Sequence, residues 1–269
     1  MGQLMQKIGA GLKEFFGIDG FNRKPEGFMS WQHILLVTIF MAGMITLAII
    51  IGRRYKNKSD KVKNRVIVKT AIILDSIELA RIIFFCFREH DPMYWKILLP
   101  LFLCSIPLVV LPIAAFSKGR LKEASLDFVF IFGLLIAFMG TYGAGNIFGV
   151  NPVLCFDNIV SVLTHSISGF AALYIGITGM AKMKKENIGI SFAILTAYCA
   201  LAYIADIIIP YNYMFLMRGD GTPYDIFYNL VNGNKVLYPL IVVVLFLIYI
   251  SLFYLVYFII RKVRGNKKK

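Results

Sequence analysis

Cys104 and His165 are the residues of this chain that could be paired as nucleophile and base. A cysteine attacks as thiolate, and a neighbouring imidazole lowers its pKa and carries the proton. His165 is the only histidine well inside an apolar run, since His33 and His90 stand near run ends. It belongs to a polar stripe of Asn158, Ser161, His165 and Ser168, spaced three, four and three, which is one face of a helix. Another run carries Asp75, Glu78 and Arg81, each three apart and so on neighbouring parts of one face. An ionised group in hydrocarbon costs at least ~2.5–3.5 kcal/mol, so such residues turn to a bundle interior or to water. Three readings of the triplet stand side by side: a self-neutralising Glu78–Arg81 pair that only fixes packing, a headgroup or catalytic site, and an ion or proton path. For His165 the plain alternative is a hydrogen-bonded core residue.

These residues must be positioned by membrane helices. Seven apolar runs divide the chain, at 31–52, 70–87, 97–116, 128–143, 156–181, 188–209 and 237–260. Each is long enough, or nearly so, to cross a bilayer at ~20 residues per helix. Hydrophobic residues make up 58% of the chain and charged residues 16%, which excludes an ordinary soluble domain. The net charge of +14 does not point to nucleic acid, because the basic residues sit at run ends rather than on one folded face. Twenty of the twenty-nine Lys and Arg residues fall in the gaps 53–69, 118–122 and 182–185 and in the tail 261–269. The alternate gaps and the N-terminal arm hold eight, and Arg81 lies inside a run. The positive-inside rule then predicts an N-terminus outside and a cytoplasmic tail. No cleavable signal is apparent, since the first run is long and ends in Arg53-Arg54.

The expected organisation is an extracytoplasmic amphipathic arm at 1–30, a seven-helix membrane domain at 31–260 and a basic cytoplasmic tail at 261–269. In the arm, Leu4, Ile8, Leu12, Phe15 and Phe16 recur at helical spacing, as in a helix lying on the membrane surface. The gap 210–236 is half apolar and is expected to dip against the bilayer or to fold back over the helices. Gly133, Ala137, Gly140 and Ala144 share one face, as do Ser168, Ala172 and Gly176, and such faces let helices approach closely. No internal repeat supports an inverted-repeat transporter. Cys86, Cys104, Cys155 and Cys199 show no metal spacing, and no nucleotide motif occurs, so neither metal nor cofactor is expected. Burial as an inert thiol is the plain reading of each cysteine, with room for a Cys86–Cys155 disulfide.

Counted along helices at 1.5 Å per residue, His165 lies about 12 Å below Asp157 and Cys104 about 12 Å below Lys96. On the same count Arg81 and Glu78 come about 10 and 15 Å below Arg88. The four side chains thus share a level. The run holding Cys104 is interrupted by Pro100, Pro107 and Pro112, which free backbone carbonyls and kink a helix.

Three segments, Leu99-Pro-Leu-Phe-Leu-Cys104, Phe156-Asp-Asn-Ile-Val-Ser-Val-Leu-Thr-His165 and Asn212-Tyr-Met-Phe-Leu216, resemble in order and spacing the YwaF-like family of bacterial integral membrane proteins. That family is related to a eukaryotic transmembrane acyltransferase that remodels ether phospholipids through a cysteine and a histidine. The resemblance implies that Cys104 is the acyl-accepting nucleophile and His165 its base. It also places Asn212 and Tyr213 in the family's outer-loop motif. The family's cysteine often has polar neighbours, as in PLHLCD, where this chain has Phe102 and Ser105.

The resulting expectation is an all-α, polytopic protein of the bacterial plasma membrane acting as a cysteine-dependent phospholipid acyltransferase through an acyl thioester. Asp75, Glu78, Arg81, Asn158, Ser161, Asn212 and Tyr213 would bind substrate or support the pair. Its partners would be a membrane lipid and the bilayer, with no nucleic acid. The alternative is a non-enzymatic transporter or lipid-binding protein in which Asp75, Glu78, Arg81 and Asp206 line a polar path.

Overall fold

The computed structural model describes residues 2–266, with side chains described over 5–263. The last three residues of the basic tail lie outside the described residues. In chain order the helices are α1 (Gly2–Phe16), α2 (Trp31–Tyr55), α3 (Asp60–Arg88), α4 (Ile106–Phe116), α5 (Gly119–Met139), α6 (Gly145–Phe148), α7 (Phe156–Thr178), α8 (Lys185–Ile208), α9 (Asp225–Leu230) and α10 (Leu237–Asn266). One-turn 3-10 segments lie at Tyr94–Leu98, Leu103–Ser105 and Tyr213–Phe215, and no strand occurs among the described residues. The chain divides into two units. The first holds everything up to Leu98 together with Phe132–Met180, and the second holds Leu99–Ile131 and everything from Ala181 on.

Four helical stretches are long and apolar enough to cross a membrane: α2, α7, α8 and Leu237–Val263 of α10. Of the other three runs, α3 and α5 reach 29 and 21 residues, but charged side chains interrupt their apolar sequence. The run 97–116 departs from expectation. Only its last 11 residues form an α-helix, α4, and Leu99 to Phe102 are not helical. Proline explains the break. Pro107 falls in the first turn of α4, where its missing N–H goes unneeded, so the helix begins there and does not extend back through Pro100. The helical count from Lys96 therefore gives no depth for Cys104, while the counts for His165, Glu78 and Arg81 run through continuous helices.

In the first unit α7 packs mainly on α2 and also on α3. The α2–α7 pair runs parallel in one register, because Gly169 abuts Met44 and Gly52 abuts Ile177 at the same offset. A Cβ on Gly52 would stand 2.8 Å from the Ile177 side chain, so only glycine admits this approach. The expected small-residue ladder joins the C-terminal part of α5 to α7 in antiparallel order. Gly133 meets Ala172 and the Ser168 carbonyl, Ala137 meets Gly169, and Gly140 meets His165. At its end α7 turns off through Gly179 (φ 69°), and Met180 N–H returns to the Ile175 carbonyl at 3.0 Å.

The N-terminal arm is tied to the first unit. Glu14 accepts the backbone N–H groups of Asn22 and Arg23, each at 3.0 Å. The same Arg23 donates to the Leu154 carbonyl at 2.8 Å, and Glu26 accepts Val153 N–H at 2.7 Å. At the start of α2, Ser30 caps the His33 N–H at 3.3 Å. In the second unit Asp127 is the organiser. Its carboxylate accepts the backbone N–H groups of Lys182 and Met183 at 2.8 and 2.9 Å, Asn187 Nδ2 at 2.7 Å and the Tyr254 hydroxyl at 3.3 Å. That fully buried anion fixes the entry of α8 beside α5 and α10.

Candidate functional site

His165 lies halfway along α7, where the small-residue ladder lets α5 come close. Its Nδ1 lies 2.6 Å from the Ser161 carbonyl one turn back. A carbonyl only accepts, so Nδ1 carries the hydrogen and Nε2 keeps the lone pair. The Nε2 edge faces Gly140, whose added Cβ would stand 2.3 Å from that nitrogen. Glu78 and Arg81 lie within electrostatic reach of the ring. His33 provides a contrast. It is fully buried, its Nδ1 accepts the Met29 N–H at 3.1 Å, and its Nε2 donates to the Thr141 carbonyl at 3.1 Å. Both its nitrogens hold structure together.

The charged triplet on α3 resolves into a pair and a single residue. Arg81 grips Glu78 with two donors, Nε to Oε2 at 2.9 Å and a closer contact between the terminal nitrogen and Oε1. Glu78 is buried and Arg81 rests over the Phe85 ring at 5.4 Å. Such a fork neutralises the carboxylate where water is scarce. Asp75 is half-buried, and its Oδ1 is enclosed without a hydrogen-bond partner among the described residues. Of the predicted stripe, Ser161 supplies the carbonyl that orients His165, and Ser168 back-bonds to Thr164 at 3.0 Å. Asn158 turns instead to the Pro152 carbonyl at 2.9 Å and ties down the preceding loop.

Cys104 belongs to the second unit. It is exposed in the 3-10 turn Leu103–Ser105 that leads into α4, with the Ser105 hydroxyl 4.0 Å from its sulfur. The broken backbone before it is repaired by Tyr198 of α8, whose buried hydroxyl donates to the Phe102 carbonyl at 3.2 Å and, more closely, to that of Pro100. Phe102 in turn packs edge-on against Tyr211 and Tyr213, at 5.9 and 5.3 Å between ring centres. An aromatic cluster thus stands where the resembling family often has a polar neighbour.

The Asn212-Tyr213 segment is a compact cap on this region. Asn212 Oδ1 accepts Met217 N–H at 2.9 Å, while Nδ2 donates to the Arg218 carbonyl and to Asp220 at 2.8 and 2.7 Å. Tyr213 is fully buried, and its backbone N–H goes to Asp206 at 2.7 Å. Burial raises the Tyr213 phenol to about 12, so it stays a neutral hydroxyl at working pH. These two residues hold the loop and the floor beneath Phe102.

Sequence reading missed three organisers. Arg88 forks onto Asp157 at 2.5 and 3.1 Å, reaches the Phe16 carbonyl at 3.3 Å and lies 4.4 Å over the Phe85 ring. It joins α1, α3 and α7. The residue pair was visible as charge at run ends, but its partners are far apart in sequence. Asp127 and Tyr198 gave no local signal at all. No disulfide forms at Cys86 or Cys155, and burial pushes the Cys155 thiol up to about 11, as suits an inert thiol. Among the described residues no three His, Cys, Asp or Glu side chains gather as metal ligands.

Several apolar helices of spanning length define a multi-pass helical membrane protein. The family follows from the sequence: residues 28–261 match the model of the TMEM164 family, and the chain belongs to that family. No curated protein and no solved structure matches the chain.

Proposed function

We propose that this protein is an acyltransferase of membrane phospholipids that works through a thioester on Cys104, with His165 as the base. The observation that carries this reading is the state of the His165 ring. With Nδ1–H given to the Ser161 carbonyl, Nε2 is the lone-pair nitrogen that a general base needs. Support also comes from Cys104, which is exposed at a helix start while Cys155 and Cys199 are buried. In the first half-reaction the Cys104 proton passes to His165 Nε2 as the sulfur attacks the ester carbonyl of a phospholipid. The C–O bond breaks, and the lysolipid alkoxide takes the proton from His165. In the second, an acceptor hydroxyl gives its proton to the same nitrogen and attacks the thioester, the C–S bond breaks, and the departing Cys104 thiolate takes the proton back from His165.

The proposed setting is a bacterial plasma membrane, crossed seven times with the N-terminus outside and the tail in the cytoplasm. The relation to YwaF-like proteins and to the eukaryotic ether-lipid acyltransferase belongs to the same proposal. A polar transport path is less well supported. Glu78 and Arg81 neutralise each other, and Asp206 is engaged by the Tyr213 N–H.

The test is a trapped intermediate. Acylation that hydroxylamine removes should appear on Cys104 when acceptor is withheld, and His165→Ala should prevent it. Cys104→Ala and Cys104→Ser should each abolish transfer while abundance stays near wild type, because the volume change is small. Cys86, Cys155 and Cys199 should be dispensable. Full lipid remodelling by the Cys104→Ala protein would falsify the mechanism.

A further inference from the structure

The first unit contains a cavity of about 430 Å³ between α2, α3 and α7. That volume lies within the range of small-molecule sites, roughly 300–1,000 Å³. Its walls include Gly43, Leu47 and Ile51 of α2, Ile73 of α3, and Ser166 and Phe170 of α7. Leu47 and Ile73 are also exposed on the outer surface, so the cavity is a groove open to the surrounding hydrocarbon. Along α2 the lining runs from Ile39 to Ile51, about 18 Å at 1.5 Å per residue. One leaflet's acyl chain spans about half of a ~30 Å hydrocarbon core, so the groove has the length of such a chain.

Two details argue for an occupant rather than a packing gap. At Gly43 an added Cβ would meet nothing within 4 Å, although Gly52 and Gly169 of this helix pair are used for close approach. Ser166 is buried on the groove wall, and its hydroxyl has no hydrogen-bond partner among the described residues. The other wall hydroxyl, Thr70, is already bonded to the Val66 carbonyl at 2.9 Å. An unpaired buried donor costs about 1–3 kcal/mol, so a lone hydroxyl in an apolar groove asks for one acceptor on a long apolar ligand.

We infer that this groove holds one acyl chain of a membrane phospholipid, with the Ser166 hydroxyl donating to its ester carbonyl. Ser166 directly follows His165 in α7, so the ester would sit at the level of the imidazole while the chain runs along α2 toward Ile51. The inference deepens the acyl-transfer reading and relies on it only for what happens to the ester afterwards; chain binding stands without it.

The experiment uses the full chain in lipid nanodiscs containing a phosphatidylcholine with a diazirine in one acyl chain. Illumination should place crosslinks on α2 and α7 peptides around Leu47 and Phe170. Gly43→Leu, which fills open space without a backbone clash, should cut those crosslinks roughly tenfold, the equivalent of about 1.4 kcal/mol. Ser166→Ala should lower labelling by an ester-linked probe about fivefold, the size of one hydrogen bond, and leave an ether-linked probe unchanged. Cys104→Ala should label as the wild type does. Crosslinks spread evenly over the exposed faces of α2 and α10, or a sterol probe labelling the groove in preference to the phospholipid, would overturn the inference. So would Gly43→Leu and Ser166→Ala both leaving the pattern intact. Groove labelling with no transfer by the wild type would sink the enzymatic reading alone, and transfer without groove labelling would sink the groove alone.

Discussion

At the scale of single residues, His165 depends on a neighbour that has no side chain. Gly140 leaves the space into which the imidazole projects, and a methyl there would lie 2.0 Å from Cδ2. Gly140→Ala must therefore turn the ring away from its Ser161 hydrogen bond. Thioester formation should fall by at least tenfold in that variant, equivalent to ~1.4 kcal/mol, while Gly189→Ala, a methyl placed in open space on α8 away from the site, should leave it unchanged. Measurement of acylated Cys104 by mass spectrometry compares the two. Glu78 and Arg81 carry a second residue-scale expectation. Arg81→Met leaves a buried carboxylate without its partner and should cost about 3–5 kcal/mol, whereas Glu78→Gln combined with Arg81→Met should recover most of that loss. Thermal unfolding of the two proteins in detergent decides it; equal losses would show that the pair is not what stabilises this part of α3. The polar stripe and the charged triplet were legible in the sequence because helical spacing puts their members on one face. Which member does what was not, because Asn158 and Ser161 differ only in the loop or turn their groups reach.

At the scale of elements, the helices with clean apolar runs were read to within a few residues, and the broken one was not. Three prolines marked the run 97–116 as unusual, but a kink and a break look alike in sequence. The outcome turned on Tyr198, a residue nearly a hundred positions away that accepts the task of satisfying the freed carbonyls. The N-terminal arm was readable as amphipathic, and the feature that folds it back is Glu14. Backbone N–H groups of Arg23 and Asn22 hold its carboxyl down to about 2 from an ordinary 4.5. A depressed carboxylate pKa means that its contribution is fully present above the ordinary value and is lost as pH falls toward the depressed one. Hydrogen exchange at Asn22 and Arg23 should therefore be slow at neutral pH and gain a local opening between about 4.5 and 2. Glu14→Gln should show weakened protection already at pH 7, together with faster tryptic cleavage after Arg23. Unchanged cleavage in that variant would remove Glu14 as the tether.

At the scale of the whole molecule, charge distribution is the one property that local folding does not set. Within the first unit the two ends of α7 differ in kind. Near its start lie α1, Arg88 and Asp157, joined by a half-buried fork and by the rings of Phe16, Phe84 and Phe156. Near its end, Lys63 donates to the Thr178 carbonyl at 3.0 Å and the Tyr174 hydroxyl bonds the Lys63 carbonyl, which brings the most basic connection of the chain to that end. Lys and Arg close to short loops resist translocation, whereas an amphipathic helix such as α1 lies comfortably on a surface. The end carrying residues 53–69 is accordingly expected in the cytoplasm, with α1 on the outer face. Single-cysteine reporters make this measurable in a background where the native cysteines are replaced. A membrane-impermeant maleimide added to intact cells should label a reporter within 219–224 and spare one within 58–63. Opening the cells should then expose the second. If the reporter within 58–63 reacts first, the protein is inverted and α1 faces the cytoplasm.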